Sequence, residues 1–289
     1  MRHAVIPLLL LTAVILGGCS DGVLDPKGPI ASAEREILFN SLGIMLAIVI
    51  PTIVSILGVA YWFRSSNKRA RYQPDFTYSG RLEMLVWSIP AMTVLLVGGV
   101  AWVGAHDLDP RAPIASTVKP IRIQVASLDW KWLFIYPEQG IATVNHLAIA
   151  SGTPVSFELT SSGAMNSFFV PQLGGQIYTM AGMVTHLNLQ ANEPGTYRGL
   201  SAQFSGEGFS DMRFAVDVVP AEKFTQWIAA ARGTGPLLDA QSYAALSKPS
   251  KAVAPLTFGA VAPDLFRMIV SCNAHAQCQV PRAVSEDMK

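Results

Sequence analysis

Two long apolar runs stand out in the N-terminal third of the chain. Residues 38–63 and about 83–103 are almost uninterrupted in their hydrophobicity, and each run is long enough to cross the ~30 Å hydrocarbon layer of a bilayer as a helix. Pro51 lies inside the first run, where a membrane helix tolerates it because neighbouring helices can satisfy the carbonyl group that it frees. The pattern predicts a hairpin of two transmembrane helices within an N-terminal part that spans residues 19–118.

The pattern changes after a turn-rich linker to short alternating or apolar runs separated by Gly, Pro and Asn. These runs predict strands at residues 121–125, 128–136, 155–159, 185–189 and 214–219. Strands at this spacing indicate a Greek-key β-sandwich or barrel over residues 119–219. In the C-terminal part, 220–289, apolar residues at helical spacing predict short helices over 221–232 and 239–246. We therefore expect a membrane-anchored α+β protein.

Charge orients the hairpin and excludes one class of partner. The 289-residue chain is 51% hydrophobic and 14% charged, with a net charge of +1, so no nucleic-acid partner is expected. A single acid, Asp75, lies between the two runs. The cations there are Arg64, Lys68, Arg69, Arg71 and Arg81. By the positive-inside rule the connection is cytoplasmic, and both ends of the chain lie in the periplasm.

The first residues have the form of a secretory signal. A charged start and a short apolar core, residues 4–16, precede Gly17-Gly18-Cys19. Small residues before a cysteine resemble a bacterial lipobox, which predicts a signal peptide over residues 1–18 and acylation at Cys19. The alternative is an ordinary signal peptide whose cleavage site falls near a cysteine.

Two segments of the β region have the outline of a copper-binding site. Met165–Pro171 and Gly199–Met212 have the spacing at which a dinuclear centre would place imidazoles, thiolates and a thioether, the ligands that suit copper. They resemble subunit II of the haem-copper oxidases, in which His-Ser-Phe-x-x-Pro precedes Cys-x-Glu-x-Cys-x-x-x-His-x-x-Met. The positions that match the family's ligands are Asn166, Ser201, Gln203, Ser205, Phe209 and Met212. Of these, only the methionine keeps the family's residue.

This set of replacements resembles the quinol-oxidising branch, the cytochrome bo-type ubiquinol oxidases. The resemblance implies a cupredoxin-like periplasmic domain without copper, followed by an aromatic-rich C-terminal extension. It further implies a non-catalytic subunit of a proton-translocating ubiquinol oxidase in the inner membrane. No cofactor is expected in this chain. The haems and copper are expected in subunit I, the other partners are the bilayer and subunits III and IV, and ubiquinol is the substrate of the complex.

Two other functions are compatible with parts of the pattern. One is a cytochrome c oxidase-type subunit II with a degenerate copper site, which the lost ligands disfavour. The other is a stand-alone envelope lipoprotein that serves as a binding module. Co-purification with haem-containing partners distinguishes the second from an oxidase subunit.

Glu83 begins the second apolar run at its cytoplasmic end, and carboxylates in membrane segments are often functional. The segment Glu83–Pro90 resembles the family's Glu…Trp-Thr…Pro signature, whose glutamate lies at the entrance of a proton path in subunit I. Three residues separate Glu83 from Trp87, whereas many cytochrome c oxidases have two, so the helical phase differs. The alternative is an interfacial residue that interacts with the helix dipole and pairs with Arg81.

Two further features concern aromatic residues and cysteines. We expect Trp130 and Trp132 to share one face of a strand and to pack against the sandwich or a neighbouring subunit. The alternative that the resemblance implies is electron entry, since a similar Trp/Tyr-rich segment helps electrons enter the cytochrome c oxidases. Near the C-terminus, Cys272 and Cys278 flank His275. In an oxidising periplasm such cysteines form a disulfide more often than a metal site, so a disulfide or free thiols are expected.

Overall fold

A computed structural model describes residues 22–274, which form two compact units. Residues 33–109 make the helical unit, and residues 22–32 with 110–274 make the β unit. The predicted signal segment and Cys19 lie outside the described residues, as do His275 and Cys278.

The helical unit is the predicted hairpin. Helix α1 spans Pro29–Trp62 and helix α2 spans Gly80–Asp107, and both are long and apolar enough to cross a membrane. Each helix extends past the apolar run that predicted it. Gly104 of α2 allows a close approach between the helices, because a Cβ atom there would lie 2.7 Å from Ile37 Cδ1 of α1. Small residues at such crossings are typical of membrane helix pairs.

Thirteen strands and three helices make up the β unit. The bounds are β1 Ile121–Leu128, β2 Lys131–Tyr136, β3 Ile141–Val144, β4 His146–Ala150, β5 Pro154–Ser161, β6 Asn166–Phe169, β7 Ile177–Thr179, β8 Thr185–Gln190, β9 Gly195–Ser201, β10 Arg213–Val219, α3 Ala221–Arg232, β11 Leu237–Leu238, α4 Ala240–Leu246, β12 Leu256–Phe258, β13 Ala260–Val261 and α5 Leu265–Ala274. A six-stranded sheet has the order β12-β3-β2-β1-β5-β8, and a five-stranded sheet has the order β4-β10-β9-β6-β7. β1 and β5 pair in parallel, as do β4 and β10, so the chain crosses repeatedly between the sheets, as in a Greek-key sandwich. The predicted fold class is confirmed.

Aromatic side chains fill the space between the two sheets. The rings of Phe168 and Phe214 stack with their centroids 5.2 Å apart, and Trp132 meets both edge-on at 5.4 and 5.7 Å. These three side chains are at most 4% exposed. Gly199 makes room for this cluster, since a Cβ atom there would lie 2.1 Å from the Phe214 ring. Glycine at this position is therefore required by the packing.

The C-terminal extension covers the outer face of the six-stranded sheet. β12 adds to the edge of β3, and α5 contributes Phe266 and Ile269 to a second apolar cluster that includes Leu133 and Ile135 of β2. All six residues of β2 are consequently buried. This explains why that strand reads as a continuous apolar run, since a strand buried on both faces loses its alternation.

Residues 25–31 dock on the β unit ahead of the transmembrane part of α1. Lys27 Nζ lies 2.8 Å from Glu193 Oε2, and its backbone N–H donates to the Gln172 carbonyl at 2.7 Å. A Cβ atom at Gly28 would lie 2.1 Å from the Gln190 carbonyl oxygen. The backbone at Gly28 therefore lies too close to β8 for any residue with a side chain. The segment just after the predicted lipidation site is thus fixed to the folded domain.

Tyr136 links the two sheets through a buried hydroxyl. Its Oη donates to the Ala148 carbonyl oxygen and accepts from the Ala148 N–H, each at 2.9 Å. The side chain is fully buried, and burial raises the pKa of the phenol far above its ordinary value. The hydroxyl therefore stays neutral and able to serve both backbone groups.

Replacement of Tyr136 by phenylalanine is expected to destabilise the β unit by about 2 kcal/mol, because both Ala148 backbone groups lose their buried partner. Thermal unfolding of the full chain in detergent measures the effect. Tyr178→Phe is the matched control, since that ring is 44% exposed. Equal melting temperatures for the two variants would contradict the role assigned to Tyr136.

Candidate functional site

The positions that match the family's copper ligands meet at one end of the five-stranded sheet. Asn166 begins β6, Ser201 ends β9, and Met212 directly precedes β10. β6 and β9 pair so that Phe168 faces Ser201, and the N–H of Ser201 donates to the Met212 carbonyl at 3.0 Å. Residues 201–212, hereafter the 201–212 loop, are thereby closed at their base by a backbone hydrogen bond.

Side-chain hydrogen bonds occupy the interior of this site. Ser201 Oγ donates to Asn166 Oδ1 at 3.1 Å and lies 3.3 Å from the Gln203 carbonyl oxygen. Asn166 Nδ2 donates in turn to the Ala164 carbonyl at 3.1 Å. Asn166 is 2% exposed and Ser201 4%. Buried amide and hydroxyl groups are stable in this form because each satisfies the other.

The other family positions do not join this network through their side chains. Met212 is 1% exposed and belongs to the apolar core. Phe209 stands in a single 3₁₀ turn, Phe209–Asp211, and its ring faces Phe204 at 5.7 Å. Ser205 Oγ is buried and has no hydrogen-bond partner among the described residues.

This donor set does not fit copper. Copper sites of this kind use thiolate and imidazole ligands, whereas the polar side chains here carry amides and hydroxyls, and those of Asn166 and Ser201 already bond to each other. Within residues 22–274 there is also no group of three or more His, Cys, Asp or Glu side chains that could hold a metal ion. The arrangement can position a loop, but it offers no redox chemistry of its own.

Trp130 is a residue of the site that the sequence pattern did not identify. It lies in the turn between β1 and β2 with a φ of 64°, and its Nε1 donates to the Ser205 carbonyl at 3.0 Å. A Cβ atom at Gly208 would lie 2.4 Å from its ring. Lys251 lies 5.7 Å from the ring centroid and forms an ion pair with Glu207 at 2.8 Å.

The expectation that Trp130 and Trp132 share a strand face is wrong. Trp132 lies in β2 and points into the core, whereas Trp130 occupies a left-handed turn outside the strand. Left-handed backbone is unfavourable for a bulky residue and persists only where the surroundings enforce it. Here the indole covers the 201–212 loop. Gly206 and Gly208 leave the space that this close approach needs.

The two histidines of the β unit lie on strands β4 and β8. His146 Nε2 lies 2.8 Å from Asp217 Oδ2, and Thr196 donates to the other carboxylate oxygen at 2.7 Å. Burial alone would raise the pKa of Asp217, but the hydrogen bonds from His146 and Thr196 outweigh it and hold the pKa below its ordinary value. His186 lies on β8 and pairs in register with Glu158 of β5.

Glu83 belongs to the helical unit, whereas the 201–212 loop belongs to the β unit. It stands in the first turn of α2, where its N–H donates to the Ser79 carbonyl at 2.9 Å. A carboxylate at this point interacts favourably with the helix dipole. The hairpin shows no ion pair between Glu83 and Arg81.

Comparison with known proteins gives a family match and several relatives that align with most of this chain. The COX Aromatic Rich Motif family matches residues 232–275. Cytochrome bo(3) ubiquinol oxidase subunit 2 of Pseudomonas aeruginosa is 47% identical over 268 residues, which cover 93% of this chain and 81% of the relative. Ubiquinol oxidase subunit 2 of Acetobacter aceti is 44% identical over 264 residues, covering 91% and 86%.

Among solved structures, the periplasmic domain of subunit II of cytochrome oxidase from Bradyrhizobium japonicum aligns with 42% of this chain and 98% of its own length. The sequence identity is 18% and the TM-score is 0.39.

Replacement of Gly208 by alanine is expected to destabilise the β unit by about 1–3 kcal/mol, as overpacking does elsewhere. The added methyl group would displace the Trp130 ring and break its hydrogen bond to Ser205. Thermal unfolding and limited proteolysis of the 201–212 loop measure the effect. Gly163→Ala is the control, because a Cβ atom there meets its nearest neighbour at 3.9 Å. If the 201–212 loop resisted protease equally in the Gly208→Ala and Gly163→Ala variants, the role of Trp130 would be refuted.

Proposed function

This chain belongs to the ubiquinol oxidase subunit 2 family, and we propose that it is a non-catalytic subunit of a proton-translocating quinol:oxygen oxidoreductase. As an oxidase subunit with two apolar helices, it is an inner-membrane protein with a periplasmic domain. In the proposed function, the complex oxidises ubiquinol and reduces dioxygen to water during aerobic respiration. This chain supports that reaction without a redox centre of its own.

The hydrogen bond between Ser201 Oγ and Asn166 Oδ1 carries the proposal. It fills the position at which a cytochrome c oxidase would bind copper and receive electrons from a soluble donor. Quinol is soluble in the bilayer and delivers electrons to the membrane part of a complex directly. A periplasmic copper relay is therefore unnecessary, and the cupredoxin-like domain is free to serve assembly and to cover its partner.

The helices α1 and α2 provide the surface for the proposed partners. Their apolar side chains are exposed along both helices, for example Val54, Leu57, Val94 and Leu95. Such surfaces are stable only against lipid or other membrane helices. We assign them to subunit I, which would hold the haems and copper, and to the bilayer, with subunits III and IV completing the complex.

The lipid anchor belongs to the same proposal. Cys19 precedes the docked residue Lys27 by only a short connection. An acyl group on Cys19 would therefore hold this edge of the β unit near the membrane surface. The covalent anchor and the helical hairpin would then both tether the domain to the bilayer.

Gentle detergent purification through a tag on this chain tests the assignment. The expected product is a multi-subunit complex with haem absorption in the visible spectrum and copper accounted for by the haem partner. Intact-mass analysis of this chain is expected to show an acylated Cys19. Purification of a Cys19→Ser variant, which lacks the acceptor thiol, supplies the control mass.

A chain that purified alone and free of haem would contradict the subunit assignment and favour a stand-alone lipoprotein. Stoichiometric copper on this chain would instead favour the cytochrome c oxidase type. An unmodified Cys19 would remove the lipid anchor while leaving the subunit assignment intact.

We infer that Glu83 assists proton uptake from the cytoplasm. Replacement by alanine is expected to slow turnover and proton uptake of the assembled oxidase by roughly tenfold, because a carboxylate that relays protons is lost. Glu36→Ala is the control, since Glu36 is a carboxylate near the opposite end of the hairpin. Unchanged proton uptake in Glu83→Ala would leave Glu83 with an interfacial role only.

A further inference from the structure

A basic cavity lies where the two membrane helices are connected. Its volume is about 900 Å³, and its wall combines the end of α1, the connecting segment and the start of α2. Three cations line it, Arg64, Lys68 and Arg71. None of these three has a carboxylate within ion-pair distance in the part of the chain that the structure describes. The cavity therefore has a positive charge that the described residues do not neutralise.

Hydrogen bonds hold the connecting segment in a defined shape. Asn67 Nδ2 donates to the Trp62 carbonyl at the end of α1 (2.6 Å), and Asn67 Oδ1 accepts from the Arg69 N–H (3.1 Å). Arg64 is oriented by a hydrogen bond from its Nε to Ser66 Oγ at 2.9 Å, and its guanidinium carbon lies 3.9 Å from the Tyr61 ring centroid. Neither contact uses the terminal guanidinium nitrogens of Arg64. These remain available to an anion.

Apolar side chains also line the cavity. Val59, Phe63 and Leu82 line it, and the first and last of these lie inside the membrane helices α1 and α2. In the proposed two-span topology, this cavity would combine cationic side chains at the level of the lipid headgroups with apolar side chains at the level of the acyl chains. A soluble anion would contact only the cationic side chains and would leave the apolar ones unused.

We propose that the basic cavity binds one anionic glycerophospholipid of the cytoplasmic leaflet. The phosphodiester would accept hydrogen bonds from Arg64 and Arg71, as phosphates do from arginine, and an acyl chain would lie against Val59 and Leu82. Basic cavities between membrane helices on the cytoplasmic side are suited to such headgroups. The site rests on the two-span topology proposed for this chain and adds a ligand to it.

Native mass spectrometry of the purified complex tests the site. Delipidated complex is titrated with phosphatidylglycerol, with phosphatidylcholine and with inorganic phosphate. The variant Arg64→Gln/Arg71→Gln is compared with Arg69→Gln/Arg81→Gln. The second variant removes the same charge from the connection and the first turn of α2, at residues that do not line the cavity.

Wild-type complex is expected to retain one phosphatidylglycerol that neither phosphatidylcholine nor millimolar phosphate displaces. The Arg64/Arg71 variant is expected to lose affinity roughly thirtyfold, since each cation near an anionic headgroup contributes separately. The Arg69/Arg81 control is expected to change less than about threefold. Arg64→Lys/Arg71→Lys, which keeps the charge, is expected to recover most of the binding.

Four results would overturn the proposal. Equal losses in both double variants would indicate general charge attraction, and retention in both would place the lipid elsewhere. Displacement by inorganic phosphate would identify a soluble anion site. Loss of a protein subunit from the Arg64/Arg71 variant alone would identify a protein contact. Lipid binding by the two double variants can also be compared on this chain without its partners. If no haem partner co-purified, the subunit assignment would be refuted, and the lipid site would still be decided by that comparison.

Discussion

The aromatic cluster between the two sheets is the contact on which the β unit depends. Trp132, Phe168 and Phe214 come from three strands of two sheets and meet within 6 Å. Aromatic pairs of this geometry add to the burial of their large apolar surface. Because Phe168 and Phe214 lie next to the ends of β6, β9 and β10, this cluster also fixes the backbone from which the 201–212 loop begins and ends.

That rigid base explains how the loop keeps its shape without the soft ligands of a copper site. Asn166 and Ser201 are held at hydrogen-bonding distance by strands that the core positions, and Trp130 covers the loop from the neighbouring sheet. These contacts hold the 201–212 loop in a defined conformation. In a complex fed by a membrane-soluble donor, a folded periplasmic surface is useful even where no electron passes through it.

Much of this architecture could be predicted from the sequence, but not all of it. The two helices followed from uninterrupted apolar runs, and α3 was predicted with the bounds that the structure shows. β3, β4, β6 and β7 were missed because strands of three to five residues show little periodicity of their own. β9 was missed because Gly195 and Gly199 interrupt its pattern. α5 and β12 were missed because their role arises from packing on a distant sheet. The resemblance located the family positions, whereas Trp130 required the structure, since its contact with Gly208 joins distant parts of the chain.

The way in which the 201–212 loop is closed bears on how this protein matures. A loop held by metal–thiolate bonds folds only when the ion is supplied and the sulfur atoms are kept reduced. Here the closing groups are a backbone amide, a hydroxyl and a carboxamide, none of which oxidises to a disulfide. The hydrogen bonds that close this loop can therefore form without a metallochaperone or a thiol reductant.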